Sequence, residues 1–517
     1  MLPSALDGRA EVAAVMPVRT SVTFVRSRWL FLRLLGLVYL IAFASLAVQI
    51  TGLVGEGGIL PVGEFLRRAH EVYGSQAYRL LPTLVWLSPS DAFLSILCWS
   101  GMLTSLLLVA GIAPIASAAL LWILYLSLTI AGQVFLQFQW DGLLLETGFL
   151  AILYAPLSLR SRLDLDPEPP AIVRWVIWGL AFKLTFLSGI TKRLSGDPTW
   201  AQWTALSFHY ETQPIPTWTS WFIHQLPLSI HHWSAAAMFV IELGVPWLIF
   251  APARFRRVRF AACALMIGLQ VGIAATGNYG FFNPLTIVLY LALLDDRTLE
   301  SLLPRRVERK ERANDRLSAS IWRITVSVVA LGIAALSVLT LFREIDVTRG
   351  GRGLIAGEWS DRILDSISPF SSINGYGLFR VMTTDRPEIV IEVSEDGRTW
   401  KEYEFRWKAG NVMRRPRFVE PHMPRLDWQM WFAALDPDSA QSWLGRLLAR
   451  LLDGDVAVMN LLGPNPLAGP PRYARLAYYR YHFTSSAERA NTGAWWRREF
   501  LGYLTDTIGP GSPQGAR

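Results

Sequence analysis

Long apolar runs separated by short, arginine-rich connections dominate the first two thirds of the chain. A run of about 17 to 25 apolar residues is long enough to cross a bilayer core of about 30 Å as a helix. Such runs fall at residues 30–54, 91–112, 114–136, 140–157, 171–190, 231–250, 260–276, 281–294 and 321–342. The pattern predicts a membrane domain over residues 30–342 with eight or nine spans. The 281–294 run is short, and the break between the second and third spans rests on Gly111 and Pro114.

Nine spans place every second connection on one side, and those connections carry the basic residues. They hold Arg19, Arg26, Arg28 and Arg33, then Arg160 and Arg162, then Arg254, Arg256, Arg257 and Arg259, then Arg305, Arg306, Arg309, Lys310 and Arg312. Basic short loops stay in the cytoplasm, so residues 1–29 are predicted inside and everything after Phe342 outside. Two outward loops are long, 55–90 and 191–230. The second concentrates Trp200, Trp203, Trp218 and Trp221, as an interfacial aromatic belt does.

Beyond Arg343 the pattern becomes that of a soluble domain, predicted over 343–508 and followed by a disordered tail, 509–517. Residues 388–393 and 403–407 alternate around an Asp396-Gly397 turn and predict a hairpin; residues 473–483 predict a further strand. Between them Trp443, Leu444, Leu447, Leu448, Leu451 and Leu452 recur at helical spacing, the signature of a helix packed on a core. The fold class is thus a polytopic α-helical membrane protein with a C-terminal β-rich extracytoplasmic domain.

Composition agrees: 52% of residues are hydrophobic and only 17% charged, a balance that needs a low-dielectric solvent. The net charge of +8 sits in the connections, so it reads as topology and not as a nucleic-acid patch. Cys98 and Cys263 both lie inside apolar runs, which excludes a disulfide framework, a CxxC pair or a cysteine zinc site in any aqueous part. The first run is too long for a signal peptide and is predicted to stay as a span.

Ionisable groups within spans are costly, so each needs a partner or a purpose. Glu146, Lys183 and Glu242 are the candidates. Glu146 and Lys183 lie on consecutive antiparallel spans, each about 9 to 12 Å below the outer surface, so they can meet. They are either a structural ion pair or a polar site in which burial tunes Lys183 as a base or substrate anchor. Asp141, off the Glu146 face, reads as a helix N-cap. The loop from Asp197 to Pro216 is dense in hydrogen-bonding side chains, and His209, His224, His231 and His232 lie in or near it. Their spacing fits no compact zinc set, so no metal is expected, and no cofactor. Neither a GxSxG elbow nor a Walker loop is present.

Several strings together resemble the lipase maturation factors. They run from Gln139 to Phe149 (QWDGLLLETGF), from Lys192 through Ser195-Gly196-Asp197-Pro198-Thr199-Trp200 to His209-Tyr210-Glu211-Thr212-Gln213-Pro214, and through Ile241-Glu242-Leu243. Others are Asn278 to Asn283, Ile373 to Thr383 (INGYGLFRVMT), and Pro424 to Phe432 (PRLDWQMWF). The resemblance implies a membrane-resident factor that assists folding of secreted lipases in the endoplasmic reticulum, its C-terminal domain lumenal. The outer segments carry no Asn-x-Ser/Thr acceptor and the chain ends Gly515-Ala516-Arg517 without a retention signal, so a bacterial-type member of the inner membrane is expected. Its partners are then membrane lipids and a secreted lipase or other exported client. No catalytic role is required of such a factor. The alternative is a membrane enzyme acting on a lipid or quinone-like substrate, similar in style to the vitamin K-dependent gamma-carboxylase membrane domain, with Lys183, Glu146 and Glu242 lining its pocket. A transporter ranks third, because no internal repeat is present. The functional surface is expected outside, where Asp197, Trp200, His209, Tyr210, Glu211 and Gln213 meet Asn374, Tyr376 and Arg380.

Overall fold

The computed structural model describes residues 22–302, 316–351 and 357–510. Helices occupy all nine apolar runs: α1 (Val25–Ala47), α2 (Asp91–Ala110), α3 (Pro114–Ala131), α4 (Gln139–Tyr154), α5 (Ala171–Leu194), then, past the short helix α6 (Ala205–Thr212), α7 (Leu228–Phe239), α8 (Arg256–Thr276), α9 (Phe282–Leu291) and α10 (Arg316–Thr348). Among the described residues seven of these stretches are long and apolar enough to cross a membrane, with α7 counted through to Phe250. Helices α4 and α9 are shorter, and most of their residues are buried by the others. Arg19, the basic group 305–312 and the tail from 511 onward lie outside the described residues.

Alternation of the spans gathers the basic connections at one end of the bundle. Phe24 N donates to Glu168, Arg28 to the Pro167 carbonyl, Val25 N to Asp296 and Arg259 to Asp295. The tight α2–α3 turn belongs to the same end. Gly111 there has φ +75°, the left-handed conformation that favours glycine at a helix C-cap, with the Arg33 guanidinium beside it.

Past α10 comes a four-stranded antiparallel sheet of β1 (Pro387–Ser394), β2 (Lys401–Tyr403), β3 (Tyr473–Phe483) and β4 (Trp496–Tyr503), in the order β2-β1-β3-β4. Helices α11 (Arg425–Leu435) and α12 (Pro437–Leu452) pack beside it, α12 turning inward the leucine stripe predicted from its spacing. The hairpin differs from expectation in its second strand, which ends at Tyr403. Beyond it Glu404 O accepts from Gly463 N, Phe405 O from Arg414, and Trp407 N and Lys408 N both donate to Asp427, so the backbone is satisfied away from the sheet.

These two parts share one core. Buried apolar residues run without a break from Phe31 in α1 to Ile391 and Leu476 in the sheet. The first span ends earlier than its apolar run because Gln49 is claimed by this junction: its amide donates to the Ser45 and Met423 carbonyls and accepts from Arg425 N. Most telling is Arg425. Its guanidinium forks onto both oxygens of Asp141 at 2.6 and 2.8 Å, with the Tyr125 hydroxyl donating to the same carboxylate at 2.6 Å, all three buried. Asp141 therefore corrects its expected role. It lies in the first turn of α4 and touches Phe138 N at 3.4 Å, but its main partner is a cation from the C-terminal part, too far along the chain for spacing to reveal.

Removing one member of such a pair strands the other without solvent. Arg425→Met is expected to destabilise the whole chain by about 3 to 5 kcal/mol, while the double change Asp141→Leu/Arg425→Met recovers most of the loss. Unfolding midpoints in detergent check this; a double variant no better than the single one would refute it.

Candidate functional site

At the end opposite the basic connections, polar residues of α4, α5, the 195–227 loop and residues 371–386 converge. Lys183 and Glu146 meet as their depths predicted, Nζ to Oε1 at 2.6 Å, with both side chains buried. The other carboxylate oxygen accepts from Asn374 N at 2.9 Å and the Tyr376 hydroxyl at 2.6 Å, and Lys183 also faces the Tyr376 ring. Asn374 extends its amide to the Gly142 carbonyl. Lys183 Nζ is thus enclosed by Glu146 and the Tyr376 ring, and both Glu146 oxygens have partners.

The second intramembrane acid behaves differently. Glu242 lies in a π-helical segment, Val240–Gly244, that interrupts the helix after α7, and both its oxygens accept from Lys192 at 2.8 and 2.9 Å. Lys192 also lies over the Trp200 ring. Apolarity alone does not mark Lys192 as a span residue, because the apolar run ends at 190 while α5 continues to Leu194. This pair edges a cavity of about 650 Å³ bounded by α5, the α7 segment, α8, His209, Tyr210 and Phe379. Glu146 and Lys183 are not in its wall. The expected pocket around all three ionisable residues is thus corrected: only Glu242 faces the cavity, and its partner is Lys192.

The loop and the 374–383 string do come together, but mostly as buried joints where an exposed surface was expected. Asp197 caps the short helix Pro198–Ala201 through Thr199 N and accepts from Met382 N; Trp200 Nε1 donates to the Phe379 carbonyl at 3.0 Å. Glu211 is buried and accepts from His482 Nδ1 and Phe483 N, which ties α6 to β3. Gln213 donates to the Thr276 carbonyl and accepts from the Tyr279 hydroxyl. Arg380 pairs with Glu344 at 2.9 Å, partly exposed. Burial is the reason for the difference: a Gly- and Pro-rich polar segment looks solvent-facing in sequence, yet here its hydrogen-bonding groups are taken up by residues 379–386 and 482–483. Arg386, unremarked in sequence, is a further clamp, fully buried, donating to the carbonyls of Glu211, Gln213 and Pro214 and to Glu388. Its only sequence signal is its place just before a strand.

His209 and Tyr210 keep a free aspect toward the cavity. His209 Nε2 pairs with the Tyr279 hydroxyl at 3.0 Å, and its ring stands edge-on to Phe379. Burial and the nearby Lys192 ammonium hold the imidazole neutral, its pKa lowered to about 4. Among the described residues no group of three or more His, Cys, Asp or Glu is arranged to hold a metal ion.

Comparison with known proteins bears on this architecture at both ends. The family model Lipase maturation factor transmembrane domain matches residues 26–301, and Lipase maturation factor C-terminal domain matches residues 372–505. The chain belongs to the lipase maturation factor family. It is similar to Lipase maturation factor 2 of Gallus gallus, 36% identical over 94% of this chain and 82% of that protein. Lipase maturation factor 2 of Homo sapiens is 35% identical over 94% of this chain and 83% of its own length, and Lipase maturation factor 1 of Bos taurus 34% over 97% and 92%. No solved structure matches. These lipase maturation factors are vertebrate proteins, and the expected bacterial type draws no support from them. The stretch between the two family matches includes α10, which packs along α5.

The neutral His209 has a thermodynamic signature. Released by unfolding it takes its proton near pH 6.5, but in the fold only near pH 4. Between those values the unfolded chain binds the extra proton, so the His209 contribution to stability is intact above pH 6.5 and is lost as pH falls toward 4. Unfolding midpoints between pH 7.5 and 4.5 should fall more steeply for the wild type than for His209→Gln. Parallel curves would show that His209 is not held neutral.

Proposed function

We propose that this chain is a membrane-resident maturation factor that assists folding or assembly of secreted lipases, or of other exported proteins, on the extracytoplasmic side. The observation that carries the reading is the pair of family matches, which together take in the membrane bundle and the outer part that the Asp141–Arg425 pair joins into one body. The basic end of the bundle supports a cytoplasmic N-terminus. The end bearing the sheet and the 195–227 loop then faces the compartment where exported chains emerge. The inner membrane of a bacterium and the endoplasmic reticulum both offer that face, and the reading holds in either.

An enzyme using Lys183 as its base would need access to that amine. Its enclosure by Glu146 and Tyr376 weighs against that alternative. Assistance without catalysis needs surface instead, and the outer end exposes Trp203, Phe222, Phe500 and Tyr503.

Cells lacking the chain should secrete several-fold less active lipase than cells expressing it, at equal lipase synthesis, and photo-crosslinkers at Phe222 or Phe500 should trap the unfinished enzyme. Unchanged secretion would sink the proposal. Orientation is read separately: alkaline phosphatase fused after Gly509 should be active, and a silent fusion on a well-inserted chain would reverse the topology.

A further inference from the structure

The sheet ends in two unlike edges. At one, β2 is three residues long and is held at both ends by the segment beyond α12: Gly463 N donates to Glu404 O, and Lys401 Nζ to the Pro466 carbonyl. At the other, β4 runs for eight residues. Among the described residues its outer side meets another backbone only at its start, where Trp495 N and Trp496 N donate to Val412 O. Farther along, Tyr481 N donates to Arg386 O on the β1 side, so Tyr481 and its β4 partner Arg498 form a pair whose backbone groups point away from each other. Alternation then turns the N–H and C=O of both Arg498 and Phe500 toward the open side. Unpaired groups in such a row are a template for a further strand.

Side chains along this edge suit an apolar visitor. Leu501 is an extra residue between the Tyr479–Phe500 and Tyr478–Gly502 pairs, and this bulge resets the alternation so that Phe500 and Tyr503 stand on one face although three apart. Their ring centroids are 5.0 Å apart, and Tyr479 of β3 lies 5.3 Å from Phe500. Phe500 and Tyr503 are 49% and 51% exposed. Charges beside them are paired within the sheet region: Arg498 with Glu402, Arg480 with Asp385 and Glu499, Arg475 with Glu392.

We infer that β4 takes up an extended, apolar, uncharged segment of an unfinished polypeptide as a fifth strand. The inference rests on the maturation reading, because such a factor meets chains whose own strands are not yet paired. Only a polypeptide offers the alternating donors and acceptors that the edge lacks. Those main-chain bonds give the hold, and the Tyr479, Phe500 and Tyr503 rings give a preference for β-branched and aromatic side chains. A second copy of this chain is the competing occupant. Arg498 to Tyr503 span about 20 Å at roughly 3.4 Å per residue, a contact far smaller than the interface of a stable dimer but sufficient for a transient hold.

The test uses the full chain in phosphatidylcholine nanodiscs and a fluorescent, end-capped nonapeptide of alternating valine and threonine with one central benzoylphenylalanine. It should bind, and light should attach it within residues 496–504. Methylating alternate backbone nitrogens of the peptide removes the N–H groups on one of its two edges. One methylated set should weaken binding about tenfold and the other should leave it within about twofold, because only one edge faces β4. Phe500→Lys/Tyr503→Lys, which sets ammonium groups along the edge, should weaken binding about tenfold at an unchanged unfolding midpoint. The inference is overturned if the two methylated peptides bind alike, if the label lands elsewhere, or if the chain is already dimeric through β4. The peptide comparison needs only the wild type, so it decides the matter even where the variant fails to fold. Lipase secretion separates this inference from the maturation reading. Secretion that needs the chain but is untouched by a folded Phe500→Lys/Tyr503→Lys removes the edge and keeps the reading, whereas capture at β4 with secretion independent of the chain keeps the edge and removes the reading.

Discussion

Arg425 and Asp141 set the terms on which the two parts of this chain coexist. A guanidinium and a carboxylate, both removed from water, are stable only while they face each other. Arg425 opens α11 and Asp141 lies in the first turn of α4, so their contact fixes the C-terminal part against the bundle in position and rotation. The Gln49 bridge to Met423 and Arg425, the Trp140–Trp428 aromatic contact and the fit of Phe135 against Trp443 all follow from that seating. Within the bundle apolar burial cannot drive assembly, because lipid is as apolar as leucine. Close approach and paired polar groups do so instead. Gly148 lets α4 come so near α1 that a Cβ there would strike the Tyr39 hydroxyl.

The same logic distinguishes the two pairs at the end of the bundle away from the basic connections. Glu146–Lys183 is saturated by backbone and side chains from residues 374–376, which makes it a joint. Glu242–Lys192 sits where the helix has slipped into π geometry, a distortion frequent at functional sites, and borders open space. Two acid–base pairs of like composition thus differ in what surrounds them.

How much was legible in sequence follows from the range of the interactions. All nine helices, the leucine stripe of α12 and β3 rest on local periodicity, and local periodicity found them. Glu146–Lys183 was reachable because consecutive antiparallel helices convert sequence position into depth. Lys192–Glu242 was missed at a helix end that apolarity alone cannot locate. Arg425 and Arg386 depend on partners far away in the chain, and single-sequence patterns carry no information on such pairings. The loop's polar side chains were read as exposed for the same reason: whether His482, Phe483 or Arg386 would cover them is decided by tertiary packing.

Helix α9 shows what enclosure permits. Its ten residues rise about 15 Å, half the thickness of a bilayer core. A lipid-facing helix of that length would force the membrane to thin or the helix ends to shed their hydrogen bonds into hydrocarbon. Buried among its neighbours, α9 meets no lipid along most of its length, and the non-helical backbone at its two ends is satisfied by protein: Tyr279 N by Glu420, Leu293 N by Tyr290. The bilayer therefore senses only the outer ring of longer helices. Hydrophobic matching is set by that ring, and the centre of the bundle is free to keep a span too short to exist alone.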